Sequence, residues 1–434
     1  MDIEGIHVLL WRKPTIEVLG EKKLKDIFER GIELKHYIGF EISGFVHLGT
    51  GIFSGAKIRD FQEAGIKTEV FMADWHAWIN NKLGGNMDII RKVAKGYFSH
   101  AIAKSIEAVG GDPTITEFIL ASDIYNNDYW AEVIKIGKET TLSRVLRSIT
   151  IMGRRESESI PSAWLVYPLM QAADIVFQNI NIAHAGIDQR KAHVIAMEYA
   201  NKIDYPLLAV HHILITNLRL SWDIYRKLKK EKDKRKIKED LSELKMSKSI
   251  PGSAIFIHDS EEEILSKIKQ AFCPMKETEF NPIWELVEYV IFREQENIGL
   301  LLIALENSIV TPNELGLPRV EKHELVKVIE DKNKKNEIDW DLVYSRIERE
   351  FSDLYDLGFK EIEFKIINGK TKEQKVYTKL WDLRRDWISG RIHPLDLKNA
   401  VANWLLKLLE PIRCYFKKDG KRYIEELQRI KISR

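Results

Sequence analysis

Short apolar runs in the first half of the chain alternate with longer amphipathic segments. The short runs predict five strands, at 36–41, 68–73, 114–120, 180–185 and 207–213. Helical patterns lie between them, and strands that alternate with helices favour a parallel, doubly wound α/β sheet. Residues 1–35 are predicted to form a helical lead-in to this sheet.

The pattern changes twice along the rest of the chain. A strongly charged stretch begins near residue 221, and from 282 onward long amphipathic helices replace the strands. A short β-hairpin is expected within 361–377, where Asn-Gly at 368–369 favours a tight turn. We therefore predict a sheet domain with a helical connective segment at 129–165, a charged region with a lysine loop, and a mostly helical C-terminal domain, spanning 1–220, 221–281 and 282–434.

The helix predicted in the first half of 163–191 carries three polar residues on one face. Tyr167, Gln171 and Asp174 are spaced i, i+4 and i+7, so a helix stacks them turn over turn among apolar residues. A buried carboxylate is costly unless hydrogen bonds are donated to it, and Asp174 alone is more simply explained as a satisfied core residue. A phenol, an amide and a carboxylate on one stripe favour a pocket for a polar small molecule.

Other polar side chains are predicted near the carboxyl ends of strands, where ligands bind in sheets of this kind. His47, His76 and Gln189 fall just past strand ends, and Tyr37 lies on the first strand. Gly44, Gly49 and Thr50 belong to a glycine-rich turn between a strand and a helix, an arrangement that places backbone N–H groups against phosphate. The turn matches neither a dinucleotide fingerprint nor a P-loop.

Two lysines in the loop 245–249 supply positive charge. Lys245 and Lys248 stand three residues apart beside serine and glycine, which suits the neutralisation of a phosphate chain in a transition state. Upstream, residues 225–240 carry nine basic and four acidic residues. Such a run is typical of a solvated helix, with nucleic-acid contact as the alternative.

Composition limits the class of protein. Of the 434 residues, 44% are hydrophobic and 30% charged, and 67 basic against 65 acidic residues give a net charge of +2. The two cysteines exclude a disulfide framework and a CxxC metal site, and suit a reducing compartment. The first apolar run is too short for a signal peptide, and none spans a bilayer. We expect a cytoplasmic protein without a membrane partner or a structural metal.

Two sequence motifs, and the order in which they occur along the chain, resemble those of the class I aminoacyl-tRNA synthetases. His47-Leu-Gly49 follows the first strand, and Lys245-Met-Ser-Lys-Ser249 stands late in the same domain. Within that class the chain is most similar to the archaeal and eukaryotic tyrosyl-tRNA synthetases. The similarity is carried by YIGFE at 37–41, YPLMQ at 167–171 with Asp174, DQRK at 188–191 and the stretch 393–413. It covers residues 30–220, 244–290 and 390–413, and implies a Rossmann-type catalytic domain.

This resemblance implies an enzyme that activates L-tyrosine with ATP, accompanied by Mg²⁺, and transfers it to the 3′ end of tRNA(Tyr). By position, Tyr37 and Asp174 would hold the phenolic hydroxyl. The residues expected around the rest of the amino acid are Tyr167, Gln171 and Gln189 on its amino side, with His76 lining the pocket. A buried Asp and Tyr placed to hydrogen-bond a hydroxyl are left unpaired by phenylalanine, so the site selects against it. They also favour tyrosine over the larger tryptophan. An Asp174 bound to its own chain would contradict this assignment.

The resemblance also implies residues for the nucleotide and the RNA. His47, Lys245 and Lys248 would be catalytic, by contacting the phosphates and stabilising pyrophosphate as it leaves. ATP would also contact Gly39, Gly44, Gly49 and Thr50. The C-terminal domain would hold the anticodon, with Asp396 on a base, although a partner for the helix dipole is the other explanation for this residue. A symmetric homodimer would form through helices near 129–165.

The sequence departs from the family pattern at Thr50, where the signature usually ends in a second histidine. Residues 221–240 and 295–360 resemble insertions relative to compact family members. We hypothesise that the lysines of 226–240 add a tRNA contact, which an unchanged KM for tRNA after their deletion would contradict. The alternatives are a tryptophanyl-tRNA synthetase, another nucleotidyltransferase with a related signature, and a catalytically silent paralogue that only binds RNA. Thr50 favours the silent paralogue, whereas both loop lysines and the polar pocket argue against it.

Overall fold

Six strands form one sheet in the computed structural model, which describes residues 1–153, 160–231, 244–246 and 252–430. The strands are β1 (Thr15–Leu19), β2 (Lys35–Glu41), β3 (Lys67–Ala73), β4 (Thr116–Leu120), β5 (Ile182–Gly186) and β6 (Leu208–His212). Their order across the sheet is β1-β6-β5-β2-β3-β4. Strand β1 runs antiparallel to β6, and every other pair is parallel. The predicted doubly wound sheet is confirmed, because the five predicted strands are β2 to β6.

The prediction for the amino terminus was wrong in one respect. Between the helices Ile3–Trp11 and Lys23–Glu29 lies the edge strand β1. Three of its five residues, Thr15, Ile16 and Val18, are β-branched and favour extended backbone. The segment is too short for its own pattern to distinguish a strand from a helix.

Helices make up most of the remaining structure. Before residue 232 they are Ile3–Trp11, Lys23–Glu29, Leu48–Glu63, Asp74–Ile79, Met87–Val93, Ser99–Ala108, Ala121–Ile124, Asn127–Glu139, Leu142–Ser148, Tyr167–Phe177, Arg190–Lys202 and Trp222–Lys230. From residue 252 they are Glu261–Gln270, Pro282–Leu286, Ile298–Glu306, Lys322–Lys334, Trp340–Glu350, Ser352–Gly358, Leu380–Ser389, Pro394–Leu408, Glu410–Lys417 and Lys421–Arg429. Lys248 and most of the charged run predicted at 225–240 lie outside the described residues.

The direction in which the chain crosses the sheet reverses between β2 and β5. From β2 the sheet continues to β3 and β4 on one side, whereas β5 and β6 lie on the other. In open sheets of this kind ligands bind outside the carboxyl ends of the strands at such a reversal. The residues that follow β2 and β5 therefore face one crevice.

The C-terminal region is mostly helical, as predicted. Its predicted hairpin is confirmed by β7 (Phe364–Ile367) and β8 (Gln374–Tyr377), which pair antiparallel. The helix Ile3–Trp11 packs against Ile298–Glu306 and Ser352–Gly358, so the first helix of the chain contributes to the C-terminal core. A domain boundary at 282 stays a prediction. Among the described residues no helix has the length and apolar content needed to cross a membrane.

A buried group of charges joins the C-terminal region to the sheet domain. Asp60 accepts hydrogen bonds from Arg12 at 2.9 Å and Arg293 at 2.5 Å, and Lys57 Nζ lies 3.2 Å from the same carboxylate. All four side chains are buried. Burial raises the pKa of Asp60, but the charges of Arg293, Lys57 and Arg12 outweigh burial and lower it to about 2. The carboxylate therefore stays ionised and holds three cations from different parts of the chain.

We predict that Asp60→Asn lowers the free energy of unfolding by about 3–5 kcal/mol at neutral pH, because three buried cations lose their counter-charge. Since the pKa of Asp60 falls from 3.8 to about 2 on folding, its stabilisation is present above 3.8 and is lost as the pH falls towards 2. Urea unfolding of wild type and variant at neutral pH and at about pH 3 should therefore show a smaller difference in acid. Asp26→Asn, in an exposed ion pair with Arg30, is the control and should change stability little. Equal effects of the two substitutions would contradict the prediction.

Candidate active site

The carboxyl group of Asp174 is buried on the helix Tyr167–Phe177, with 1% of the residue exposed. Its Oδ1 accepts hydrogen bonds from the hydroxyls of Tyr125 at 2.7 Å and Tyr129 at 2.9 Å. Its Oδ2 has no hydrogen-bond partner among the described residues and lies 3.6 Å from His76 Nε2. Burial raises the pKa of Asp174 to about 8, although the two phenols lower it. One oxygen is thus satisfied and the other lacks a donor.

Sequence reasoning missed Tyr125 and Tyr129, whose rings stack with centroids 3.7 Å apart. The assignment of Asp174 requires that its carboxyl group does not bind its own chain. Oδ1 fails this requirement, because it accepts from both phenols, whereas Oδ2 meets it. The signal that could have found these residues is positional. Tyr125 follows the carboxyl end of β4, and Tyr129 stands four residues later, one turn along the next helix.

Tyr37, which belongs to strand β2, lies near Asp174. Its side chain is buried, and burial together with the charge of Asp174 raises the pKa of Tyr37. A Cβ atom on Gly39 would lie 2.1 Å from the Tyr37 hydroxyl, so any larger residue there would displace the phenol. The structure thus gives Gly39 a place in the same pocket, and its predicted contact with ATP stays a prediction.

The remaining residues predicted for the amino acid surround the same pocket. Gln171 Nε2 donates to Gln189 Oε1 at 3.3 Å, which joins the pocket helix to the end of β5. The His76 ring meets Tyr167 edge-on, with centroids 4.5 Å apart. Burial lowers the pKa of His76 to about 3, so the ring is neutral near pH 7. The predicted stripe of Tyr167, Gln171 and Asp174 therefore contacts residues at the end of β2 and just after β3, β4 and β5.

A second carboxylate, Glu41 at the end of β2, borders the pocket and was not predicted as a site residue. Its Oε1 accepts hydrogen bonds from Asn80 at 2.7 Å and from the Tyr167 hydroxyl at 3.2 Å. Lys82 Nζ lies 3.4 Å from Oε2. The rule that found His47 and His76, a polar residue at a strand end, applies equally to Glu41. Its negative charge suits an ammonium group.

The glycine-rich turn leads from β2 into the helix Leu48–Glu63. His47 caps this helix, with Nδ1 accepting from the Thr50 N–H at 3.4 Å, and the Thr50 hydroxyl lies 3.2 Å from Nε2. Gly44 has φ of 131°, a conformation that favours glycine. A Cβ on Gly49 would lie 3.2 Å from the His47 ring. The threonine that replaces the expected second histidine thus contacts the first one.

Lys245 reaches the same crevice and forms an ion pair with Asp188, just after β5. Burial raises the pKa of Asp188, but the charge of Lys245 and its hydrogen bond outweigh burial and lower it overall. Backbone hydrogen bonds also join the turn to the chain after the lysine loop, from Leu48 to Ile255 at 3.0 Å and from Ile257 to Val46 at 3.1 Å. The glycine-rich turn is therefore a neighbour of the chain that follows the lysine loop. In the described part of the chain, no three His, Cys, Asp or Glu side chains are grouped to hold a metal ion.

Asp396 lies in the C-terminal region, in the first turn of the helix Pro394–Leu408. It is 7% exposed, and its Oδ1 accepts a hydrogen bond from the Gly369 N–H at 3.1 Å. This bond connects the turn of the β7–β8 hairpin to the start of the helix. The carboxylate thus has a structural partner, and its predicted contact with an anticodon base stays a prediction.

Comparison with known proteins identifies the family. Residues 30–338 match the family described as tRNA synthetases class I (W and Y). Tyrosine–tRNA ligases from Pyrococcus horikoshii and Thermococcus kodakarensis are 45% and 43% identical to this chain, with 100% of both chains covered in each case. The crystal structure of tyrosyl-tRNA synthetase complexed with L-tyrosine from Pyrococcus horikoshii is 44% identical, with a TM-score of 0.78 over 99% of this chain and 100% of that one. These matches favour the tyrosine enzyme over the tryptophanyl and silent alternatives, and the chain belongs to the tyrosine–tRNA ligases of the class I tRNA synthetases.

Proposed function

We propose that the pocket binds L-tyrosine with its phenolic hydroxyl between Tyr37 and Asp174. The observation that carries this proposal is Asp174 Oδ2, a buried oxygen without a donor among the described residues. A phenolic hydroxyl supplies that donor, whereas phenylalanine leaves the oxygen unpaired, at a cost of about 1–3 kcal/mol or more. Gln171, Gln189 and Tyr167 would hold the amino side, and the nearby charge of Glu41 would attract the ammonium group.

ATP would bind next to the tyrosine carboxylate, at the start of the helix Leu48–Glu63. A carboxylate oxygen attacks the α-phosphorus, the bond to the β-phosphate bridging oxygen breaks, and pyrophosphate leaves. Positioning and charge neutralisation are sufficient for this step, so no acid or base is needed. His47, Thr50 and the turn glycines would contact the nucleotide, Lys245 and Lys248 would stabilise the departing pyrophosphate, and Mg²⁺ would accompany the phosphates. The tyrosyl group then passes to the terminal ribose of tRNA(Tyr).

The C-terminal region would hold the anticodon arm, and the enzyme would act in the cytoplasm as a homodimer. Three large apolar side chains on successive helices support a dimer contact in the predicted connective segment. Ile134 is 64% exposed, Leu142 63% and Leu146 36%. Large apolar side chains left exposed on one segment of a chain are typical of a protein interface.

We predict that Asp174→Ala abolishes or strongly weakens tyrosine activation and reduces the preference for tyrosine over phenylalanine. The milder Asp174→Asn should lower that preference at least about tenfold, because an amide can place an N–H donor where the carboxyl offers an oxygen to the hydroxyl. ATP–pyrophosphate exchange with tyrosine, phenylalanine and tryptophan measures both effects. Asp123→Asn, an exposed carboxylate near the same strand end, is the control. A normal ratio of tyrosine to phenylalanine kcat/KM in both Asp174 variants would refute the assignment.

We predict that Lys248→Ala slows adenylate formation with little change in the KM for tyrosine, because the lysine acts on the leaving pyrophosphate. Single-turnover formation of tyrosyl-adenylate separates this rate from substrate binding. Lys67→Ala, at the amino end of β3 and opposite the crevice, should leave the rate unchanged. An unaltered rate in Lys248→Ala would remove the lysine from the mechanism.

We predict that Ile134→Asp combined with Leu142→Asp shifts the protein from dimer to monomer, because two side chains that the proposed dimer would bury become charged. Light scattering coupled to size-exclusion chromatography gives the mass. Ile203→Asp places the same change on another exposed isoleucine and should keep the wild-type mass. A monomeric wild type, or a double variant that stays dimeric, would contradict the proposed contact.

A further inference from the structure

A polar groove lies around Trp222, away from the proposed tyrosine pocket. This residue begins the helix Trp222–Lys230 and is 54% exposed. Its indole meets the ring of Phe272 edge-on, with centroids 4.9 Å apart, and the ring of Tyr225 at 5.7 Å. Both of those rings are buried, so they hold the indole against the surface while over half of Trp222 stays accessible. A large exposed aromatic group with a polar rim is typical of a binding surface.

Two cations line the same groove, Arg219 and Lys398. Arg219 donates to the side-chain oxygen of Gln270 at 2.6 Å, and Lys398 donates to the carbonyl of Lys269 at 3.1 Å. Neither cation pairs with a carboxylate in the part of the chain that the structure describes. By contrast, Lys229 on the Trp222 helix is neutralised by Glu277 at 2.9 Å and Glu279 at 3.2 Å. The groove therefore contains two cations that no carboxylate among the described residues neutralises.

The groove lies between two parts of the chain that the proposed function assigns to RNA and nucleotide. Gly252 stands just after the lysine loop. A Cβ atom on Gly252 would lie 3.1 Å from the Arg219 guanidinium. Lys398 stands two residues after Asp396, on the helix proposed to hold the anticodon. A nucleic acid in contact with both parts would pass near this groove.

We propose that the Trp222 groove binds an unpaired nucleotide of the tRNA, with its base against the indole and its phosphate against Arg219 and Lys398. The inference rests on tRNA being the substrate, as family membership shows. Aromatic side chains stack on bases of any sequence, and nearby cations neutralise the backbone, which is how single-stranded nucleic acid is held by many proteins. The exposed indole favours RNA over an acidic peptide, which would use the cations alone.

The test compares two reactions of the same full-length enzyme. Trp222→Ala should raise the KM for a tRNA(Tyr) transcript about tenfold, and Trp222→Phe should recover most of that loss, since any aromatic ring can stack. Lys398→Gln should raise the KM less and reduce the slope of log affinity against log salt concentration by about one. ATP–pyrophosphate exchange needs no tRNA and should be unchanged in all three variants. Ile203→Ala and Lys67→Gln are matched controls, because both residues are exposed near the amino ends of the strands.

Three results would overturn the inference. The first is an unchanged KM and salt slope in both Trp222→Ala and Lys398→Gln. The second is a parallel loss of exchange activity, which would assign Trp222 to folding or to the active site. The third is a change of oligomeric state in Trp222→Ala, which would make the groove a contact between copies. If wild type itself lacked exchange activity, the proposed function would fail, and filter binding of the same transcript to the same variants would still test the groove.

Discussion

A carboxyl group buried with one of its two oxygens unpaired is the constraint around which the proposed tyrosine pocket is arranged. Removing a charged group from water is costly unless donors replace the water, and at Asp174 two phenols do so for Oδ1 alone. Because Tyr125 and Tyr129 stack on each other, both hydroxyls are held at the same oxygen. The other oxygen lies 3.6 Å from His76 Nε2 and has no donor among the described residues. A ligand with a hydroxyl at that point gains a hydrogen bond that one without it cannot replace.

The proposed nucleotide end of the crevice is held together by backbone hydrogen bonds more than by side chains. The chain before the lysine loop is attached to the sheet domain, since Met246 donates to the Ile215 carbonyl and Asn217 to that of Leu244, both at 2.8 Å. The chain after the loop is attached to the turn around His47, through Ile255 and Ile257. The backbone described on both sides of the lysine loop is thus hydrogen-bonded to the sheet domain or to the glycine-rich turn, although the two motifs lie about two hundred residues apart in sequence.

Sequence reasoning recovered the features that depend on local patterns. Apolar runs located β2 to β6, Asn-Gly located the hairpin, and helical spacing located Tyr167, Gln171 and Asp174 on one face. It did not find the features that depend on partners distant in sequence. The donors to Asp174 lie 49 and 45 residues away, and Asp60 pairs with Arg293 across 233 residues. The edge strand β1 likewise exists because β6 is available to pair with it, which its own five residues do not reveal.

The distribution of charge also depends on partners that are distant in sequence, and this dependence affects function. A net charge of +2 contains no sign of a polyanionic partner. Many cations of this chain are neutralised locally: Arg12 and Arg293 by Asp60, Lys245 by Asp188, and Lys229 by two glutamates. Attraction for phosphate therefore depends on which cations lack a carboxylate, and that depends on the folded partners rather than on composition. Among the described residues, Arg219, which precedes the lysine-rich helix in sequence, is one such cation without a carboxylate partner.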